Sequence, residues 1–160
     1  KHFPGLGAVT GNTDISAGVR DDQTNSNSES VQIFKDLISS GTPSIMTATA
    51  IYDKIDPNLP GAFSSKMVDG LLRKQLGFDG LVITDDLSNA VQVQSWTPGQ
   101  RAVLALSAGN DLVLANEPTQ IPEMISEVLQ KVKADPDFAK KISQSATRVI
   151  KVKEEMKLVE

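Results

Sequence analysis

Three short runs in this chain are apolar almost from end to end instead of alternating: residues 44–50 (SIMTATA), 80–84 (GLVIT) and 111–115 (DLVLA). A strand with one wet face alternates polar and apolar residues, so unbroken runs predict strands covered on both faces, as in the parallel sheet of an α/β protein. Between the runs the spacing turns helical. Residues 29–40 place Val31, Phe34, Leu37 and Ile38 on one face before the stop signals Gly41 and Pro43. Ser64 or Ser65 caps a second helix with Met67, Val68, Leu71, Leu72 and Leu76 inward, ending at Gly77. Helices are also predicted over 98–108 and 119–133, and residues 53–61 read as a Pro- and Gly-containing loop. A last helix over 137–158, with Phe138, Ile142, Ala146, Val149, Ile150 and Met156 on one side, is predicted to pack as a terminal layer.

Two architectures satisfy this rhythm. A doubly wound sheet would be complete in 160 residues, whereas a (β/α)₈ barrel typically needs about 250 and would make this chain its second half. Both place chemistry at the C-terminal ends of strands, where Thr47, Thr49, Asp85, Asp86 and Asn116 fall. No GxGxxG or GxxxxGK[ST] loop is present, which argues against a nucleotide. A net charge of −4 with no basic run argues against nucleic acid as a partner. Zero cysteines exclude disulfides, thiolate zinc sites and a cysteine nucleophile. One histidine and scattered carboxylates show no paired-ligand spacing, so neither a metal nor a cofactor is expected, and GxSxG is absent. No apolar run approaches the roughly 20 residues of a membrane span. Starting at Lys1, without methionine or a signal-like segment, the chain reads as a fragment.

Two segments stand out chemically. Residues 1–7 (KHFPGLG) join a cation and the only histidine to a glycine-bracketed turn, followed by a polar stretch to Asn27 that is either a lid or an exposed connection. Residues 84–90 (TDDLSNA) put Asp85 where a buried strand emerges, and a carboxylate there is either functional or, like Asp86 beside it, a cap for a short following helix. Asn110 and Asp111 precede a strand and read as structural.

Taken in order, KHFPGLG, IMTATAIY, LRKQLGFDGLVITDDLSNA and GNDLVLA resemble the second half of the catalytic barrel of glycoside hydrolase family 3, on its bacterial β-N-acetylglucosaminidase side. The resemblance implies a TIM (β/α)₈ barrel of which residues 1–160 are the C-terminal half, about four βα units, with the missing N-terminal half as partner. Expressed alone, such a half is expected to be poorly soluble or dimeric. The resemblance further implies a retaining hydrolase of β-linked sugars, terminal N-acetylglucosamine or glucose, working without cofactor or metal. Asp85 matches the family nucleophile, with Asp86 as its neighbour, and Lys1 and His2 match residues that bind sugar hydroxyls.

The sequence also departs from that pattern. Leu6 replaces the glycine-bracketed histidine, and the loop positions that carry an Asp-Ser-His acid/base triplet in the family read Asn12, Thr13 and Asp14. Asp14 is the in-chain candidate for acid/base if the loop buries it and raises its pKa; an acid from outside this segment is the competitor. Thr49 stands where the family often has histidine. The lost dyad leaves open a sugar-binding or scaffold protein built on the same barrel.

Overall fold

A computed structural model describes residues 1–159; Glu160 lies outside them. In chain order the elements are β1 (Arg20–Asp21), α1 (Glu29–Ser39), β2 (Ser44–Thr47), β3 (Ile51–Tyr52), β4 (Asp56–Pro60), a π-helix (Lys66–Gln75), β5 (Leu81–Asp86), α2 (Pro98–Ala108), β6 (Leu112–Leu114), α3 (Ile121–Ala134) and α4 (Pro136–Glu155), with single 3₁₀ turns between some of them.

The main sheet is parallel, in the order β2-β5-β6, with Ser44 to Thr47 facing Leu81 to Thr84 and Ile83 facing Leu112. Phe3 extends it on the open side of β2: its N–H donates to the Met46 carbonyl (2.7 Å), and its carbonyl accepts from the Ala48 N–H (2.9 Å). Phe3, Thr47 and Thr84 therefore lie in one row, so the KHFPG segment ends level with the strand that carries Asp85.

Burial along β5 alternates. Val82, Thr84 and Asp86 are buried, while Leu81, Ile83 and Asp85 are only half-buried. The buried face packs on the helices: Ile45 and Val82 share a core with Val31, Phe34, Met67, Val68, Leu71 and Leu72, and Val113 packs against a second cluster built on Ala102, Ala105 and Met124. The expectation of two covered faces thus holds for one face only, because the helices of this chain all add to the same side.

The expected loop at 53–61 contains a strand. β4 pairs antiparallel with β3, which also pairs parallel with β1, in a second sheet of order β1-β3-β4. Pro57 and Pro60 argue against a central strand but not an edge one, where a missing N–H leaves no ladder bond unmade. The predicted strand at 44–50 stops at Thr47, and the Ala48 and Ala50 carbonyls accept instead from the Ala62 and Gly61 N–H groups (2.9 and 2.8 Å).

The second helix is wound more widely than its apolar pattern predicts: the Gly70 and Leu76 N–H groups reach the Ser65 and Leu71 carbonyls, five residues back, at 2.9 Å. Ser64 makes its side-chain cap, accepting from the Met67 N–H (3.2 Å) while donating to Asp56 (2.7 Å). Gly77 ends it at φ 72°. Helix α2 carries a full capping box, Thr97 with Gln100. In α4 the predicted apolar stripe is only partly inward: Phe138 is buried, Ala146 and Ile150 are exposed, and Ser145 is buried in their stead. Residues 138, 141, 145 and 148 form the inward line, and its cations Lys141 and Arg148 reach Asp69 (2.7 Å) and Asp111 (2.8 Å).

Candidate active site

Asp85 is the penultimate residue of β5, at its C-terminal end, where the alternation turns its side chain to the half-open face. One carboxylate oxygen, Oδ1, accepts from the Asp86 N–H (2.9 Å). The other, Oδ2, lies 3.5 Å from His2 Nε2, and the two side chains are 27% and 21% exposed, enough to meet a ligand. Burial lowers the His2 pKa; Asp85 pulls it back up, the Lys1 ammonium pushes it down and Asp14 raises it, with burial prevailing. The imidazole is thus held mainly neutral near pH 7, available as both donor and acceptor to a hydroxyl-bearing ligand. Lys1 is exposed at the rim.

Asp86, one residue on, does a different job. Its buried carboxylate accepts from the Ser88 N–H (2.9 Å) and hydroxyl (2.6 Å), the Asn89 N–H (3.0 Å) and the Asn116 N–H (3.1 Å). Burial alone would raise its pKa, but these four donors outweigh it and leave the pKa lowered. Of the two readings held open for this pair, turn-capping therefore falls to Asp86, which also ties the β6 exit to the turn after β5. Beneath that turn the buried Arg101 guanidinium donates to the Leu87 and Ser88 carbonyls.

The polar stretch after KHFPG is fastened at both ends. The Thr13 and Asp14 carbonyls accept from the Gln92 and Val91 N–H groups (3.0 and 3.2 Å). Gln92, 5% exposed, uses its side-chain amide on a single residue: Oε1 accepts from the Val19 N–H and Nε2 donates to the Val19 carbonyl, both at 3.0 Å. The loop leaves the Asp14 side chain exposed rather than burying it, yet near enough for its charge to act on His2. On the other side, the buried Tyr52 hydroxyl donates to the Gly5 carbonyl (2.8 Å) and holds the KHFPG turn. Thr49 is buried, and its hydroxyl has no hydrogen-bond partner among the described residues.

The structure thus gathers Asp85, His2, Lys1 and Asp14 at one end of the sheet. Sequence reasoning missed Gln92 and Tyr52. Neither carries a local signal, since their partners are 73 and 47 residues away. No group of three or more His, Asp or Glu side chains that could hold a metal occurs among the described residues, and no helix there is long and apolar enough to cross a membrane.

Comparison with known proteins gives the family. The family model described as the glycosyl hydrolase family 3 N terminal domain matches residues 1–152. The chain belongs to glycoside hydrolase family 3. Among curated relatives of family members, a beta-hexosaminidase of Methylobacillus flagellatus is 37% identical over 136 residues, 84% of this chain and 39% of that protein. One from Shewanella frigidimarina is 38% identical over 131 residues, 79% of this chain and 38% of that protein. Among solved structures, a beta-N-acetylhexosaminidase of Beutenbergia cavernae superposes with a TM-score of 0.94 at 51% identity, covering 96% of this chain and 46% of the other. A family 3 beta-N-acetylglucosaminidase of Paenibacillus gives 0.89 at 27% identity, over 96% of this chain and 30% of the other. The chain therefore spans less than half the length of these relatives.

Proposed function

We propose that the protein containing this chain is a retaining β-glycosidase, that residues 1–160 form the C-terminal half of its barrel domain, and that Asp85 is the nucleophile. The observation that carries the reading is the contrast at the end of β5: Asp86 has spent its carboxylate on four donors, whereas Asp85 keeps an outward oxygen whose near neighbour is a largely neutral histidine. A nucleophilic carboxylate must be ionised, reachable and not already saturated by hydrogen bonds.

In this mechanism Asp85 Oδ2 bonds to the anomeric carbon as the bond from that carbon to the leaving oxygen breaks, and the acid/base, for which Asp14 is this chain's candidate although its loop leaves it exposed, gives a proton to that oxygen. Water then attacks the anomeric carbon, Asp14 takes a proton from it, and the bond to Asp85 breaks to release the sugar with retained configuration. His2 and Lys1 hold sugar hydroxyls beside the reacting carbon. Beta-hexosaminidase as the name of several relatives supports a terminal β-linked N-acetylglucosamine as substrate, with glucose as the alternative.

Half a barrel leaves the free edge of β6 and an apolar groove lined by Leu112, Leu114, Ile121, Ile125 and Leu129 for the other half to cover. Expressed without that half, residues 1–160 are expected to self-associate, read by sedimentation; a sharply melting monomer would count against the half-barrel. A second reading, a sugar-binding protein without turnover, draws on the exposure of Asp14 and the lost dyad.

The deciding experiment is intact mass spectrometry of the complete protein after exposure to a 2-fluoro glycosyl fluoride, or a 5-fluoro analogue for a 2-acetamido sugar, with peptide mapping. The expected result is one sugar on Asp85. No adduct together with no turnover across aryl glycosides would sink the enzyme reading and favour the binding protein.

A further inference from the structure

Resting on that reading of Asp14, we propose that Gln92 is a positioning residue for the acid/base: it fixes the loop carrying Asp14 to the same length of chain that carries Asp85. The loop offers little else to hold it. Residues 14–18 are exposed, and Ile15, its one large apolar side chain, is 75% exposed. At its far end Val19 sits in the core and its carbonyl also accepts from the Ile51 N–H (3.1 Å), but the ties across the base of the loop come from one place. The Gln92 side chain makes a two-bond pairing with the backbone of the buried Val19, and the Gln92 and Val91 N–H groups take the Thr13 and Asp14 carbonyls. Four hydrogen bonds thus bracket residues 13–19, and all four are made with residues 91 and 92.

That anchor is itself rigid with respect to Asp85. The chain from Asp85 to Val91 passes through the turn locked by Asp86 and by the buried Arg101, so it cannot swing independently of β5. Gln92 is also committed in orientation: with donor and acceptor both spent on Val19, a flipped amide would set N–H against N–H and oxygen against oxygen. Nucleophile and acid must face each other across one bond with sub-ångström tolerance, and misplacement by about 1 Å from a remote change lowers rates by about 100-fold. Here two carboxylates 71 positions apart in the chain share one register through residues 91 and 92, whose backbone holds the Asp14 end of the loop and whose glutamine amide holds the Val19 end. Gln92 does not touch the sugar; it acts through the loop.

The test exploits the fact that acid assistance to the first step, which kcat/KM reports, matters only when the leaving group is poor, whereas base assistance to the second step is needed for every substrate. In the complete protein, kcat and KM are measured for a 2,4-dinitrophenyl glycoside, which departs unaided, and for an alkyl or sugar glycoside, which does not. Asp14→Ala should lower kcat/KM on the poor leaving group by about 100-fold or more and by only a few-fold on the activated one. Gln92→Met, similar in length but unable to pair, should show the same selectivity in kcat/KM at about 10- to 100-fold, carried on the poor leaving group in kcat more than in KM. Gln92→Glu keeps both bonds to Val19 only while its carboxyl is protonated and otherwise sets oxygen against oxygen, so its loss on the poor leaving group should deepen as pH rises; it supplies the test should Gln92→Met not fold. The Asp14→Ala, Gln92→Met double variant should be no worse than Asp14→Ala alone on the poor leaving group, because a positioner has nothing left to position.

If Asp14→Ala is selective but the Gln92 variants lose both substrates equally, or neither, the positioning role is overturned while Asp14 stands as the acid. If Asp14→Ala itself shows no selectivity, the acid lies elsewhere and the proposal falls with that assignment.

Discussion

The two ends of the parallel sheet treat carboxylates in opposite ways. At the N-terminal end, Asp111 has a side chain with no exposure at all and is saturated: Arg73 Nη2 at 2.6 Å and the Val82 N–H at 2.9 Å on one oxygen, Arg148 Nε at 2.8 Å on the other. Arg73 is equally committed, donating also to the Phe78 and Gly80 carbonyls, so one ion cluster joins the start of β5, the start of β6, the π-helix and α4. At the C-terminal end, Asp85 is half-open and underpartnered, with a single backbone N–H and a histidine 3.5 Å away. A buried charge is tolerated only when it is fully compensated, and full compensation leaves nothing for a substrate. Spare bonding capacity near solvent is therefore the physical mark that separates a working carboxylate from a fastening one.

The sharpest way to break this comparison is to neutralise both. Asp85→Asn in the complete protein is expected to lower kcat by about 10⁴-fold or more, since the covalent path needs the anion, with the unfolding midpoint nearly unchanged. A variant that keeps wild-type turnover would remove Asp85 from the mechanism. Asp111→Ala should do the reverse: it strands two guanidinium groups and should destabilise by about 3–5 kcal/mol in urea or thermal unfolding, with kcat little altered in whatever remains folded. A loss under about 1 kcal/mol would mean that the cluster is compensated by solvent.

The pair also shows what could be read before any coordinates. The assignment of Asp111 to the structural end and of Asp85 to the strand exit followed from position alone, because in parallel sheets the end of the strand decides. The helices at 29–39 and 98–108 were legible from periodicity and stop signals. The division of labour between Asp85 and Asp86 was not, since both are acidic and adjacent, and only the approach of Asn116 from the end of β6 shows which one is spent. Strand β4 was hidden by its two prolines, and the inward face of α4 by the use of Ser145, Lys141 and Arg148 where apolar residues were expected. Long-range polar pairing, as at Gln92, leaves no trace in local pattern.

Asp86 is an intermediate test, lying beside the site yet fastened like Asp111. Asp86→Ala unpairs donors from Ser88, Asn89 and Asn116, and should destabilise by about 2–3 kcal/mol. Because the folded-state pKa is depressed, the contribution is fully present above the unfolded value near 4 and is lost as pH falls through the folded pKa. Wild type and variant should therefore converge in stability only in strong acid. Convergence already at pH 6 would show that the carboxylate is not the source.

The smallest expected effect concerns His2, and its sign is opposite to the usual expectation for a histidine beside a carboxylate. If Asp85 dominated, the folded pKa would be raised and acid would stabilise the pair. Burial dominates instead, so the folded pKa lies below the ordinary 6.5. Between the two values the unfolded chain holds a proton that the folded chain does not, and stability must rise with pH across that window and level off above 6.5. His2 is partly open to solvent, which screens the effect, so the slope should amount to less than about 1 kcal/mol in total. Urea unfolding of wild type and His2→Gln between pH 5 and 8 should show a difference that grows toward acid, the wild type losing ground. The contrary slope would mean that the Asp85 charge governs the imidazole, making Asp85 more strongly partnered than its 3.5 Å separation implies and narrowing the contrast with Asp111.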